Sequence, residues 1–153
     1  MQRLNPMRYL LSLFVAVSVQ ASTNQFTVLQ AKQTSPGRSA QFYHSNGSSL
    51  GTSRNQGNTT YFYQANGRSA GKAVVQGGQT SFYDSSGRLE GRSQKQGDTT
   101  RFYDAAGRST GKSVTQGNTT TRYDSRGAVE TRAVSGNTTR IYDSAGRLKA
   151  SVR

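Results

Sequence analysis

The chain has 153 residues, no cysteine, 31% apolar residues and a formal charge of +13. That length leaves room for one domain; the lack of cysteine excludes disulfides and a lipid-linked cysteine anchor, and the charge favours anionic partners. The thin apolar content excludes a large hydrophobic core, so backbone ladders must offset much of the ordering cost.

In chain order, residues 1–21 read as a secretory signal peptide. "MQRLNPMR" carries Arg3 and Arg8, "YLLSLFVAVSV" is an apolar run of 11, and "VQA" supplies small residues for cleavage after Ala21. The run is too short for a membrane span. The expected setting is therefore secreted or periplasmic. Without Arg3 and Arg8, 18 basic residues face seven acidic ones, a net charge of +11. Residues 22–35 read as a linker or entering strand, and 36–153 as a repeat domain.

The repeats align on Tyr43, Tyr63, Tyr83, Tyr103, Tyr123 and Tyr142, at a step of 20 residues four times and then 19. Six residues before each tyrosine stands a glycine (Gly37 to Gly136), and four after stands another (Gly47 to Gly146). Gly51, Gly71, Gly91 and Gly111 form a third column, so the three columns take 16 of the 17 glycines. "YDSSGR" and "YDAAGR" carry type I turn chemistry, with Asp accepting backbone N–H groups and Gly taking positive φ. "QGN" and "QGD" mark the opposite turn. The Thr-, Val- and aromatic-rich segments between them read as strands. The expected fold is all-β, an array of six ~20-residue β-hairpins forming an extended meander or a β-solenoid-like sheet.

Strict alternation counted from the turn puts the tyrosines on one face with Ser69, Gly71 and Ala73, taken as the interior. It puts Phe62, Phe82 and Phe102 on the other with Arg68, Arg88, Arg108 and the column Lys72, Arg92, Lys112 and Arg132. The faces invert if the register moves by one residue.

The segments "YDAAGRST", "GNTTTRYDSRG" and "YDSAGRLKA" resemble the YD repeats of bacterial RHS proteins, over roughly residues 37–153. The resemblance implies strips of β-hairpins and an envelope or secreted setting. A weaker similarity, in the "G…YFY…NG…G" rhythm of residues 57–71, is to choline- and glucan-binding cell-wall repeats. Those bind ligand in Trp-dependent cages, and this chain has no Trp.

No catalytic constellation is legible, and no enzyme activity or cofactor is expected. The one histidine, His44, occupies a turn-Asp slot, where the same turn contact is expected of it. The acidic residues are spread singly, without a close pair for acid–base work, and Asp84, Asp104, Asp124 and Asp143 read as turn caps rather than metal ligands. Arg88 and Arg108 are expected to face their own turn Asp.

Lys72, Arg92, Lys112 and Arg132 have no acidic partner at fixed spacing. As a ladder of cations about 10 Å apart, one per two strands, they suit a polymeric anion. The expected ligand face thus comprises these four with Phe62, Phe82 and Phe102. Its partner is an anionic polysaccharide or another envelope or host polyanion, with nucleic acid less favoured. The alternative is a structural or interaction protein whose open sheet edges pair with partner chains.

Overall fold

A computed structural model of the chain describes residues 12–16, 28–32 and 39–153. Of the expected signal segment only Ser12–Ala16 (β1) falls among these; the cleavage point after Ala21, and Gly37, lie outside them. β1 pairs antiparallel with Val28–Lys32 (β2) in a separate two-stranded sheet.

From Ser39 onward the described residues are all-β, and each strand pairs antiparallel with the next. The strands are β3 (Ser39–His44), β4 (Ser49–Gln56), β5 (Thr59–Gln64), β6 (Ser69–Gln76), β7 (Gln79–Tyr83) and β8 (Leu89–Gln96). They continue as β9 (Thr99–Asp104), β10 (Ser109–Gln116), β11 (Thr119–Asp124), β12 (Val129–Val134), β13 (Thr139–Asp143) and β14 (Leu148–Val152). The expected meander is present, but neither open nor solenoid-like. β14 pairs back onto β3, with Ala150 opposite His44, Ser151 opposite Tyr43 and Val152 opposite Phe42, closing a twelve-stranded barrel. Reciprocal hydrogen bonds between Gln41 and Arg153, of 2.9 and 3.0 Å, extend the seam.

Closure follows from a device repeated at one level of the barrel. Phe102 lies opposite Gly111 while Tyr103 lies opposite Ser109, so Thr110 is an extra residue, a β-bulge. The same bulge follows Phe42, Phe62, Phe82, Arg122 and Ile141. A bulge bends its strand and strengthens the right-handed twist. Because every bend falls at the same level, the curvature accumulates around the sheet until its outer strands meet.

The bulge also inverts the expected faces. Alternation counted across the turn fails by one residue, so Gly71 and Ala73 share a face with Phe62 and Phe82, not with the tyrosines. That face is the interior: Phe42, Phe62, Phe102, Ala73, Ala133, Ile141 and Val152 are buried, and Phe82 packs against them. Large interior residues face small ones on both neighbouring strands: Phe62 lies between Ser53 and Gly71, Phe82 between Ala73 and Gly91, Phe102 between Ser93 and Gly111, then Arg122 between Ser113 and Thr131. Pairing of large with small residues lets side chains from facing strands share a barrel's inside. Much of the rest of the interior is small and polar, with Ser53, Thr60, Thr80, Ser93, Thr100, Ser113, Thr120 and Thr139 buried.

Where Phe gives way to Arg122, the interior adapts. The guanidinium stacks 4.2 Å from the centre of the Phe102 ring, across side-chain-free Gly111. Its Nε donates to Glu130 Oε2 at 2.8 Å. Planarity suits an arginine to both contacts.

Candidate polyanion-binding wall

The residues excluded from the interior form the outer wall, and the register fixes their neighbours. Lys72 lies opposite Tyr61 on β5 and Tyr83 on β7. Arg92 lies opposite Ser81 and Tyr103, Lys112 opposite Arg101 and Tyr123, and Arg132 opposite Thr121 and Tyr142. All four expected cations thus stand on alternate strands of one wall, each directly across from a tyrosine of the following strand. Arg92, Lys112 and Arg132 are exposed; Lys72 and the tyrosines are half-buried.

The contacts repeat as the register does. Lys72 Nζ sits 5.4 Å from the Tyr83 ring centre and Lys112 Nζ 5.7 Å from that of Tyr123. At the seam Ser151 holds the column position, and Arg153 instead covers Tyr43 at 5.5 Å. A cation over a ring face gains about 0.5–1 kcal/mol at exposed sites and keeps the charge directed outward.

Phe62, Phe82 and Phe102, expected beside these cations, are on the opposite face. Phe62 and Phe102 are 5% and 6% exposed, too little for a ligand to reach. The aromatic component of the wall is the tyrosine column. Sequence reasoning also passed over Arg54 and Arg101, which the pairing places outward; the bulge that would have revealed them leaves no single-residue signature.

At the turn end, cations are already engaged. Arg108 Nε contacts Asp104 Oδ2 at 2.8 Å, as expected, and Arg147 Nε contacts Asp143 Oδ2 at 3.0 Å. Arg88, of which the same was expected, meets Asp84 through its backbone N–H at 2.9 Å and not through an ion pair. Each turn carboxylate also accepts backbone N–H groups: Asp104 from Arg108 at 2.8 Å, Asp124 from Arg126 and Ala128 at 2.9 and 2.8 Å, Asp143 from Ala145 and Arg147 at 2.9 Å. These bonds hold the three carboxyls below their ordinary pKa, with the N–H groups of Arg108, Ala128 and Arg147 respectively contributing most. For Asp84 the Ser86 hydroxyl contributes most. His44 does not supply the expected turn contact. Asn46 Oδ1 accepts the Ser48 N–H at 3.0 Å, and in the next repeat Asn66 Oδ1 accepts that of Arg68 at 3.0 Å. Where the leading Asp is missing, an Asn just before the glycine replaces it.

With turn carboxylates committed in this way, the wall between the turns is left cationic. Arg54, Lys72, Arg92, Arg101, Lys112, Arg132 and Arg140 line it, the reverse of the outward apolar band a lipid-spanning barrel needs. Among the described residues, no three His, Asp or Glu side chains cluster where they could hold a metal ion. Neither a known protein family nor a curated protein matches the chain.

Proposed function

We propose that this chain is an exported, non-enzymatic β-repeat protein that binds an anionic envelope or host polymer of the glycan type along its outer wall. One observation carries the reading. Lys72, Arg92, Lys112 and Arg132 project from alternate strands of a closed barrel, and each is backed by a tyrosine rather than a carboxylate. A regular row of cations and ring faces offers a polymer repeated charge contacts with apolar contact beside each. The resemblance to YD repeats and the signal-like residues 1–21 support an envelope or secreted setting.

Barrel closure weakens the rival reading, in which open sheet edges capture a partner chain. Both outer strands of the meander are consumed by the β3–β14 pairing, and a closed barrel has no edge to offer.

Changing Lys72, Arg92, Lys112 and Arg132 together to Gln removes four wall charges and touches no glycine, interior side chain or turn acceptor. Binding to immobilised dextran sulfate should fall steeply with added salt for the natural sequence, since exposed charges are screened beyond about 8–10 Å near physiological ionic strength. The fourfold variant should lose most of that binding while its thermal midpoint stays nearly unchanged. Salt-independent binding, or binding that survives the substitutions, would contradict the reading.

A further inference from the structure

Around the wall, the residues opposite the four column cations on the preceding strands are Tyr61, Ser81, Arg101 and Thr121. Only one of these is a second cation. Arg101 and Lys112 stand directly opposite each other on β9 and β10, both exposed, and they are the one cross-strand pair of two cations among the described residues. Like charges in that position destabilise a sheet. The ion pairs of the described residues join other groups: Arg108 with Asp104, Arg122 with Glu130, Arg126 with Asp124, and Arg147 with Asp143. Arg101 Nη1 donates to the neutral Gln96 Oε1 at 3.1 Å, and Lys112 rests over the Tyr123 ring. The repulsion is thus held in place by neutral neighbours.

We propose that Arg101 and Lys112 form the anchoring subsite of the wall, which takes a sulfate or phosphate substituent of a polysaccharide while the adjoining sugar lies against Tyr123 or Tyr103. This rests on the wall reading above and narrows it. Gln96 and Tyr123 hold the two charged ends toward opposite neighbouring strands, β8 and β11. An arriving tetrahedral oxyanion draws the guanidinium fork and the ammonium together from their facing positions and cancels the repulsion between them.

The spacing favours a sugar polymer. Tyr103 and Tyr123 recur two strands apart, about 10 Å, close to the length of a disaccharide unit. Consecutive nucleotide bases need a denser run of stacking platforms. The wall also curves around a barrel, whereas duplex DNA stays straight over about 50 nm.

The test compares Arg101→Gln with Arg68→Gln, which removes the same charge from an exposed turn outside the wall. Calorimetric titrations use dextran sulfate, dextran phosphate, neutral dextran and single-stranded oligo-dT, alongside thermal unfolding at low salt without polymer. Arg101→Gln should weaken binding of the sulfated or phosphorylated dextran about five- to tenfold. Arg68→Gln should change it less than about twofold.

Without polymer, Arg101→Gln should raise the folded-to-unfolded ratio by up to about fivefold at low salt, as repulsion is relieved. High salt should abolish the gain. Whichever dextran shows the Arg101 dependence names the anionic group.

Equal losses in the two variants would overturn the subsite; the wall reading would still stand if the fourfold Gln variant lost binding. A destabilised Arg101→Gln would make Arg101 structural and overturn the proposal. Oligo-dT bound as tightly as the charged dextrans, with the same Arg101 dependence, would overturn the assignment to a polysaccharide. No binding of any polymer by the natural sequence would overturn both.

Discussion

A methyl group at Gly111 would sit 2.2 Å from the Tyr123 carbonyl oxygen, on a backbone held at φ +135°. Gly51 and Gly71 repeat the clash at 2.1 and 2.3 Å, against the carbonyls of Tyr63 and Tyr83. These glycines let the next strand approach at the level of the bulge. The turn glycine Gly107 differs: its φ is +83°, but nothing would meet its Cβ. Gly111→Ala should therefore destabilise the protein by about 3 kcal/mol or more, combining backbone strain with a steric clash. Gly107→Ala should cost only about 1 kcal/mol. Urea unfolding of the two variants checks the order, and equal costs would mean that β10 and β11 do not approach as described. The glycine columns were legible in the sequence, as was the positive φ of the turn glycines from Gly47 to Gly127 and of Gly146; Gly136 departs from it. The role of the third column was not, because it depends on a carbonyl of the next strand.

At the level of the element, each hairpin is set by its two ends. The turns after the tyrosines close with a hydrogen bond from the glycine N–H to the carbonyl at the turn start, 3.0 Å for Gly107 to Asp104. Four of the opposite turns are two-residue loops, as where Gln116 faces Thr119 across Gly117 at φ +59°, the tight geometry that matches strand twist; the connection from Val134 to Thr139 is longer. These loops are tied to the ends of neighbouring strands, Thr115 N–H donating to the Asp98 carbonyl at 2.9 Å and Ser135 N–H to that of Asn118 at 2.8 Å. Asp84, Asp104, Asp124 and Asp143 all have lowered folded-state pKa values. A depressed folded pKa contributes stability above the unfolded value, about 3.9, that is lost as pH falls through the folded value. Thermal midpoints should thus hold at mildly acidic pH and drop below about pH 4. The variant with all four residues changed to Asn should show a flatter acid limb. An unchanged acid limb would mean these carboxylates do not couple to folding. Turn positions were readable from "YDxxG", but the face each strand turns inward was not. One bulged residue reverses the parity of everything between it and the following turn, and Thr110 looks like any strand threonine.

For the whole molecule, repetition and closure are connected. β14 meets β3 in the register by which β6 meets β7: Val152 opposite Phe42 as Ala73 opposite Phe82, and Ser151 opposite Tyr43 as Lys72 opposite Tyr83. The seam is one more junction between repeats, made from distant parts of the sequence. Periodicity alone shows that junctions repeat; whether the last one closes depends on curvature per strand, which is a property of the stacked bulges. Closure puts the phenylalanines inside and turns the cations and tyrosines outward, so the proposed function depends on it. Tyr43 and Ser151 lie directly opposite across the seam, and cysteines there would fall within the ~4.4–6.8 Å Cα separation that a disulfide accepts. The natural chain has no cysteine to compete. Mild oxidation of the Tyr43→Cys, Ser151→Cys variant should give an intramolecular disulfide in nearly every monomer, read by mass spectrometry and non-reducing electrophoresis. Free thiols in the folded monomer, or crosslinks only between chains, would contradict a closed barrel and with it the outward wall.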